Sequence, residues 1–329
     1  MSESGGITFN IDDLDNLTQA EVYGKTLTQL AYKNKDIVLL TCDLMRSTKI
    51  KEFALTFPDR FFNFGLAEQN MFSAAAGFAF AGKIPFCTTM GVFASMRALE
   101  QVRTDIAYNN FNVKIVGTHT GLSFGQAGTT HVCLEDIGIM RSISNMIVIA
   151  PADSYETSNV IKACLNINTP VYIRIGRGFE PPVYESEDYN YEIGKAITMR
   201  QGEDITVFAC GVCVAHSLEA AFILEEENNL NISVVNVHTI KPIDRETIIN
   251  YIKNSKIVIT VEDHNIIGGL GSAIAEIIAE EKLSVNFKRL GIPDTFSIIG
   301  YPEDLYRYYG IDADGIVETV LSWKCSRGE

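Results

Sequence analysis

Glu68 is the first side chain in the sequence whose surroundings suggest chemistry. It is the only ionisable residue between Gly65 and Gly82, a segment of 18 residues rich in alanine, glycine and phenylalanine. Because burial of a lone carboxylate is costly, Glu68 should either be protonated or find a hydrogen-bonding partner. A carboxyl group with a raised pKa would suit proton exchange with a bound heteroaromatic ring. An ordinary acid favoured by the dipole of a helix N-terminus explains the residue equally well.

A glycine-rich segment with two histidines is the second candidate. Residues 117–131 contain His119, His131 and four glycines, and they follow a run typical of a buried strand. Loops at the carboxyl ends of parallel strands are where open α/β sheets bind ligands. The glycines allow close approach of backbone to ligand, and the imidazoles could relay protons or hold hydroxyl and phosphate oxygens. We therefore expect this segment to be functional.

Two further motifs favour a structural interpretation. Cys210 and Cys213 have the spacing of a redox or zinc motif, but no second such pair exists and the pair ends an apolar strand. Gly268–Gly271 opens a predicted helix and resembles an anion-binding turn, yet it comes late in the chain. The sequence contains neither a P-loop nor a Rossmann glycine motif. We expect turns at both positions.

The elements that position these residues alternate between strand and helix. The predicted strands are Ile37–Cys42, Pro85–Met90, Val113–Thr118, Met146–Pro151 and Val171–Ile175. The predicted helices span residues 19–34, 67–81, 94–108, 134–144 and 153–166. Thr18 and Glu21 form a capping-box pattern at the start of the first helix. Continuous apolar strands separated by helices predict an α/β fold, a parallel sheet with helices on both faces.

A second, smaller α/β domain is predicted after residues 176–190, which contain two adjacent prolines and several acids and are interpreted as a linker. Its predicted strands are Ile205–Cys210, Ile232–Val237, Ile257–Glu262 and Val285–Leu290. Its predicted helices are Val212–Asn229, Arg245–Lys253, Leu270–Glu281 and a helical tail near Ile311–Trp323.

Composition narrows the class of protein. The chain has 329 residues, enough for two domains, and 47% of them are hydrophobic. A net charge of −14 argues against general binding to nucleic acids or anionic membranes. The first 16 residues lack the features of a signal peptide, and no apolar run is long enough to span a membrane. Seven scattered cysteines, most of them in apolar runs, suggest free thiols, and we expect a reducing, cytoplasmic location.

Five segments together resemble the transketolase family of thiamine diphosphate enzymes, specifically the C-terminal subunit of split transketolases. They read GLAEQNM, GKIPFCTTMGVF, THTGLSFGQAGTTH, LEDIGIMRSISNMIVIAPAD and PVYIRIGRG, in this order. The resemblance runs from about Thr18 to the end of the chain. It implies a pyrimidine-binding domain with the thiamin diphosphate-binding fold over residues 1–185, and the smaller transketolase C-terminal domain over residues 192–329.

The resemblance assigns cofactor contacts to four residues. Glu68 matches the family glutamate that contacts N1′ of the aminopyrimidine and promotes its imino tautomer, so the resemblance favours the catalytic interpretation. Phe93 matches the aromatic residue that stacks on that ring. Asp43 and Leu44 match an acidic–apolar pair near the cofactor.

The resemblance also assigns substrate contacts. His119 and His131 match the two active-site histidines that handle substrate oxygens. Ser47, His119 and Arg177 match members of the acceptor-phosphate site. Arg174 has no such match and is expected to be structural or to face a partner.

A partner chain is implied by a missing motif. Members of this family hold the diphosphate through Mg²⁺, using a GDG motif and a later asparagine, and this sequence contains no GDG. The metal and the diphosphate should therefore be bound by an N-terminal transketolase subunit, and no metal site is expected in this chain. The expected assembly is an α2β2 heterotetramer.

The implied reaction is transfer of a two-carbon ketol unit from a ketose to an aldose acceptor. Two departures from the family pattern bear on the substrate. Ala127 stands where the family typically has an acid that contacts a substrate hydroxyl, and Ala20 stands where a basic residue often serves the phosphate. Because loss of a hydroxyl contact changes discrimination strongly, we hypothesise an atypical sugar or relaxed stereochemical preference.

Three other functions remain open. A beta subunit of a 2-oxoacid dehydrogenase decarboxylase component would share the architecture, but the G-x-x-G-x-x-H loop leading into LEDIGIMR argues against it. A deoxyxylulose-phosphate synthase fragment would use pyruvate. A non-catalytic regulatory paralogue is disfavoured because Glu68, Phe93, His119 and His131 are all present.

Overall fold

The computed structural model describes Leu14, residues 17–178 and residues 180–325. The expectation about the first 16 residues falls almost wholly outside these, and so does residue 179 of the predicted linker. Within the described residues, no helix is long and apolar enough to cross a membrane.

Twelve strands of the described chain form two sheets. The first six are β1 (Ile37–Thr41), β2 (Phe61–Asn63), β3 (Ile84–Met90), β4 (Lys114–Thr118), β5 (Ile147–Ile149) and β6 (Val171–Arg174). The next six are β7 (Ile197–Arg200), β8 (Ile205–Ala209), β9 (Ser233–Asn236), β10 (Thr239–Lys241), β11 (Ile257–Asn265) and β12 (Asn286–Ile292). The seven-stranded sheet has the order β10-β5-β6-β4-β3-β1-β2, and the five-stranded sheet has the order β12-β11-β8-β9-β7.

Both sheets are mostly parallel, as the sequence predicts. In the first sheet every pairing is parallel except that of β10 with β5. In the second sheet only β7, paired with β9, is antiparallel. The second half of the chain thus supplies an edge strand, β10, to the sheet of the first half, a pairing that the sequence analysis did not predict.

Eleven α-helices connect and cover the sheets in the described residues. Those of the first half are α1 (Gln19–Lys33), α2 (Lys51–Thr56), α3 (Glu68–Phe80), α4 (Leu99–Gln101), α5 (Asp136–Ser142) and α6 (Ser154–Cys164). Those of the second half are α7 (Cys213–Asn228), α8 (Arg245–Lys253), α9 (Leu270–Glu280), α10 (Pro302–Tyr308) and α11 (Ala313–Cys325). Short 3₁₀ turns lie at Pro58–Arg60 and Leu122–Ala127.

Local sequence explains why these elements form. The predicted capping box is present: the Thr18 side chain accepts a hydrogen bond from the Glu21 amide, and the Glu21 carboxylate accepts one from the Thr18 amide. Adjacent strand residues point to opposite faces, so Leu39 packs into one core cluster and Leu40 into another. Both faces of the first sheet are therefore buried by helices.

One predicted helix differs from the structure. The predicted helix 94–108 is not regular, because π-helical turns at Phe93–Arg97 and Val102–Ala107 flank α4. Such turns are common at functional sites. The described residues of the predicted linker contain no helix or strand, and they pack against the first half of the chain: the amides of Val183 and Tyr184 donate hydrogen bonds to Asp153 at 2.8 and 3.0 Å.

Candidate cofactor and substrate site

The predicted site residues follow the carboxyl ends of five parallel strands of the first sheet. Asp43, Leu44 and Ser47 follow β1, Glu68 follows β2, Phe93 follows β3, His119 and His131 follow β4, and Arg177 follows β6. The carboxyl ends of parallel strands meet at one edge of a sheet, which is why residues so distant in sequence lie at the same edge.

Glu68 is buried and ion-paired. Its side chain is 3% exposed at the first position of α3, and both of its carboxylate oxygens accept hydrogen bonds from Nη1 of Arg97, at 3.0 and 2.9 Å. The sequence analysis expected Glu68 either to be protonated or to have a hydrogen-bonding partner. In the structure it has a partner, Arg97. Sequence reasoning missed Arg97 because the pairing crosses from α3 to the π-helical turn after β3.

Phe93 connects Glu68 to the histidine segment. The guanidinium of Arg97 lies over its ring, 4.0 Å from the centroid. The His131 ring meets Phe93 edge to face, with centroids 5.6 Å apart. One side chain, Arg97, therefore contacts both residues that the family resemblance assigns to the pyrimidine ring.

Phe124 is the second site residue that sequence reasoning missed. Its ring lies edge to face with His119 at 5.0 Å and with His131 at 6.0 Å, and the Arg177 guanidinium lies 4.6 Å from its centroid. The only signal in the sequence was an aromatic residue within a glycine-rich loop. Phe93, His131, Phe124 and His119, the ring cluster, form a continuous series of contacting rings.

His119 is buried and in a constrained backbone conformation. Burial, with the nearby charges of Arg177 and His131, lowers the pKa of His119 to about 4. Its Nδ1 lies 2.8 Å from the Thr118 hydroxyl. Its φ of +57° is unusual for a residue with a side chain, and strain of this kind concentrates at functional sites. Because its pKa is about 4, His119 carries an uncharged imidazole at neutral pH.

The second domain anchors the histidine loop. Gly121 has a φ of +59°, and a Cβ there would collide with the Asp263 carboxylate, so the position requires glycine. That carboxylate accepts a hydrogen bond from the Leu122 amide at 3.0 Å. Arg174, 6% exposed, pairs with Asp136 at 3.0 Å and donates to the Asp263 carbonyl at 2.7 Å. Arg174 is thus structural, one of the two roles expected for it.

The segment after β1 is hydrogen-bonded to the residues that precede Glu68 in the chain. The Asp43 amide donates to Asn63 Oδ1 at 2.9 Å, and the same oxygen accepts a hydrogen bond from the Gly65 amide at 3.1 Å. Ser47 donates to the Leu44 carbonyl at 3.1 Å rather than to His119 or Arg177. The contacts therefore tie Asp43 to the segment before Glu68, but they do not join Ser47 to the ring cluster.

The structure supports a structural role for both of the remaining motifs, the pair Cys210 and Cys213 and the glycine turn Gly268–Gly271. Cys210 and Cys213 are buried, and burial raises the pKa of both thiols, so neither is a reactive thiolate at neutral pH. At the glycine turn, the Glu262 carboxylate accepts hydrogen bonds from the amides of Leu270 and Gly271 at 2.7 and 2.9 Å. No cluster of three or more His, Cys, Asp or Glu side chains in the described part of the chain could hold a metal ion.

Family models match both halves of the chain. Residues 15–180 match the transketolase pyrimidine-binding domain, and residues 194–316 match the transketolase C-terminal domain.

Individual relatives match over nearly their whole lengths. A putative transketolase C-terminal section from Methanocaldococcus jannaschii is 46% identical over 91% of this chain and 94% of its own length. An apulose-4-phosphate transketolase subunit from Phocaeicola vulgatus is 37% identical over 91% of this chain and 95% of its own length. A split-gene transketolase solved as an inactive β4 tetramer superposes with a TM-score of 0.84, at 40% identity, over 93% of this chain and 97% of that one.

Proposed function

The chain belongs to the transketolase family, and from that premise we propose that it is the C-terminal subunit of a two-chain, thiamine diphosphate-dependent transketolase. In this proposal it transfers a two-carbon ketol unit from a ketose or ketose phosphate to an aldose acceptor. The observation that carries the proposal is the placement of Glu68, Phe93 and the two histidines at one sheet edge, joined through Arg97 and the ring cluster.

The residues at this edge fit half of the cofactor. Glu68 is a buried carboxylate that already binds a planar cation, and Phe93 offers a ring face that already receives the same cation. A protonatable aminopyrimidine is likewise planar and needs a carboxylate and a stacking partner. Glu68 and Phe93, with Asp43 and Leu44 nearby, would therefore hold the ring.

Each residue has a distinct role in the proposed reaction. When bound, thiamine diphosphate would supply the nucleophilic carbon for cleaving and forming the carbon–carbon bond. Glu68 would hold or return a proton at N1′ of the ring, where its buried position excludes competing water. His119, uncharged at neutral pH, would accept a hydrogen bond from a substrate hydroxyl, and His131 would contact a second oxygen. Arg177, exposed beside Phe124, would bind an acceptor phosphate with Ser47.

We propose a partner chain because these residues account for only the ring half of the cofactor. An N-terminal transketolase subunit with a GDG motif would hold Mg²⁺ and the diphosphate, in an α2β2 heterotetramer. Two comparisons support a partner: the apulose-4-phosphate relative is named as one subunit of its transketolase, and the split-gene transketolase that lacks activity is a tetramer of β chains. We also propose the domain boundaries 1–185 and 192–329, and a cytoplasmic location, in keeping with the reduced, buried cysteines of the described residues.

The substrate is proposed to be an atypical sugar. Ala127 ends the 3₁₀ turn of the histidine loop, and its methyl side chain cannot accept a hydrogen bond from a substrate hydroxyl. Ala20 is 2% exposed within the core, so it contributes less to this argument. The apulose-4-phosphate transketolase among the relatives supports an acceptor or donor other than the standard pair of pentose phosphates.

Steady-state kinetics of the reconstituted pair would test the reaction and the substrate together. We expect aldose-dependent ketol transfer, with kcat/KM on xylulose 5-phosphate and ribose 5-phosphate at least about tenfold below that on the best sugar of a panel. Equal efficiency on the standard pair would contradict the atypical substrate. Carbon dioxide release from pyruvate would contradict the transketolase assignment and favour a 2-oxoacid dehydrogenase or deoxyxylulose-phosphate synthase activity.

A further inference from the structure

Arg97 contacts both residues assigned to the cofactor ring. Its Nη1 donates to both oxygens of Glu68, and its Cζ lies 4.0 Å from the centroid of Phe93. The guanidinium is planar, permanently charged and able to stack on an aromatic face. It therefore makes with Glu68 and Phe93 the two kinds of contact that a protonated aminopyrimidine would make.

The guanidinium and a cofactor ring cannot both make these contacts on the same face. A stacked group 4.0 Å from the centroid already fills the layer next to the Phe93 ring. The His131 ring also lies against Phe93, with centroids 5.6 Å apart at an angle of 70°. A ring that stacks on this face of Phe93 and reaches Glu68 must take the place of the guanidinium.

Arg97 has room to move. Its side chain is 47% exposed, whereas Glu68 is 3% exposed, so the arginine can leave into solvent while the carboxylate stays in place. Its position at the end of the π-helical turn Phe93–Arg97 also keeps it outside a regular helix. Glu68 retains a favourable environment without it, because it begins the 13-residue helix α3, where the helix dipole stabilises a negative charge.

We propose that Arg97 is a positioning residue that occupies the pyrimidine half-site of the chain before the cofactor binds, and that its guanidinium leaves Glu68 and Phe93 when the ring enters. The inference rests on the proposed function, since it takes Glu68 and Phe93 as the ring contacts. We call the half-site closed when Arg97 contacts Glu68 and covers Phe93, and open when the guanidinium has left. Only open chains bind the ring, so the apparent dissociation constant is the intrinsic one divided by the fraction of chains that are open.

Calorimetric titration of thiamine diphosphate with Mg²⁺ into the reconstituted assembly would test this inference. We expect Arg97→Gln to bind the cofactor roughly tenfold more tightly than the unmodified protein, the range that one partly exposed ion pair and one cation–π contact supply together. Arg103→Gln is the matched control, because Arg103 is exposed on the next π-helical turn, and its affinity should be unchanged. Affinity of Arg97→Gln equal to or weaker than that of the unmodified protein would overturn the inference.

Two further variants separate the possible failures. Arg97→Lys keeps a cation near Glu68 but lacks the planar group that covers Phe93, so its affinity should fall between those of the unmodified protein and Arg97→Gln; it also serves if Arg97→Gln does not fold. Glu68→Gln reports on the proposed function separately. If Glu68→Gln binds cofactor and turns over like the unmodified protein, the role of Glu68 fails, whereas the direction of the Arg97 change still decides whether Arg97 blocks the site.

Discussion

Two regions of the molecule hold charged side chains in close contacts, and they differ in whether those side chains are buried. At the domain seam, formed by Asp136, Arg174 and Asp263, every charged group is buried and is bonded within the chain. At the ring cluster, by contrast, the two cations Arg97 and Arg177 are exposed and rest against aromatic rings.

The difference separates stability from function. A buried, fully bonded pair leaves nothing free to bind a ligand, and loss of one member exposes the other to an apolar interior. Exposed cations stacked on rings are held weakly, and they can exchange their present contacts for those of a ligand. Substitutions at the seam should therefore reduce stability, whereas substitutions at the ring cluster should alter binding or turnover.

The largest effect is expected at the seam, for Arg174→Met. The variant leaves Asp136, which is fully buried, without its ion pair, so the free energy of unfolding should fall by about 3–5 kcal/mol. Urea denaturation of the unmodified and variant chains measures this. Arg245→Met is the control, because the partners of Arg245, Glu280 and Glu281, are exposed, and its denaturation midpoint should not change. If both variants lower the free energy of unfolding by a similarly small amount, the buried seam does not stabilise the fold as we expect.

Glu68→Gln should reduce turnover and leave stability almost unchanged, whereas Arg174→Met reduces stability. Turnover of the reconstituted enzyme should fall by about 10²–10⁴-fold, the usual contribution of a positioned proton donor and acceptor. Stability should change little, since the amide fills the same space at the start of α3. Glu100→Gln, an exposed acid in the neighbouring helical segment, should retain full activity. If the Glu68→Gln enzyme keeps normal turnover, the interpretation of this chain as a non-catalytic regulatory paralogue would be favoured again.

Arg177→Gln should have a smaller effect, confined to phosphorylated acceptors. Loss of a charge-assisted contact should raise KM for a sugar phosphate by about 10–100-fold. The kcat should stay near that of the unmodified enzyme, and KM for the unphosphorylated sugar should be unaffected. If KM rises equally for both acceptors, Arg177 shapes the loop through Phe124 rather than binding phosphate.

The effect that is smallest for each unit of pH is a pair of opposite pH dependences in stability. Burial raises the pKa of Glu156, in the first turn of α6, to about 8, while burial lowers that of His119 to about 4. The folded state thus binds the Glu156 proton more tightly than the unfolded state does, and its stabilising effect is lost as the pH rises from about 4.5 to about 8. For His119 the folded state binds the proton less tightly, so stability falls as the pH drops from 6.5 to about 4.

Thermal unfolding across this pH range would separate the two groups. Each contributes a slope of at most about 1.4 kcal/mol per pH unit. Glu156→Gln should flatten the loss of stability at high pH, and His119→Asn should flatten the loss at low pH. Either variant acting on the opposite limb would contradict the assigned environments.

The sequence predicted the fold well where patterns are local. The buried strands, the capping box of Thr18 and Glu21 and the two-sheet α/β architecture depend on hydrophobic runs and short-range hydrogen bonds, which are visible in the sequence. The antiparallel strand β10 was not predictable, because its three residues pair with β5, some 90 residues earlier in the chain. Nothing in so short a segment indicates which sheet it joins.

The candidate site was predicted in part for a similar reason. Glu68, His119 and His131 stand out by residue type and surroundings, and the family resemblance added Phe93 and Arg177. Arg97 and Phe124 were missed because their significance lies in contacts across elements: the first pairs with a residue 29 positions earlier, and the second meets two rings and a guanidinium. Residue spacing alone does not encode these contacts.

Cofactor binding measured with and without the partner chain tests the central claim most directly. The same calorimetric titration would be made with this chain alone, with an N-terminal subunit that carries the GDG motif alone, and with the two mixed. We predict tight, Mg²⁺-dependent binding of thiamine diphosphate and ketol transfer only for the mixture. Tight binding and turnover by this chain alone would contradict the account.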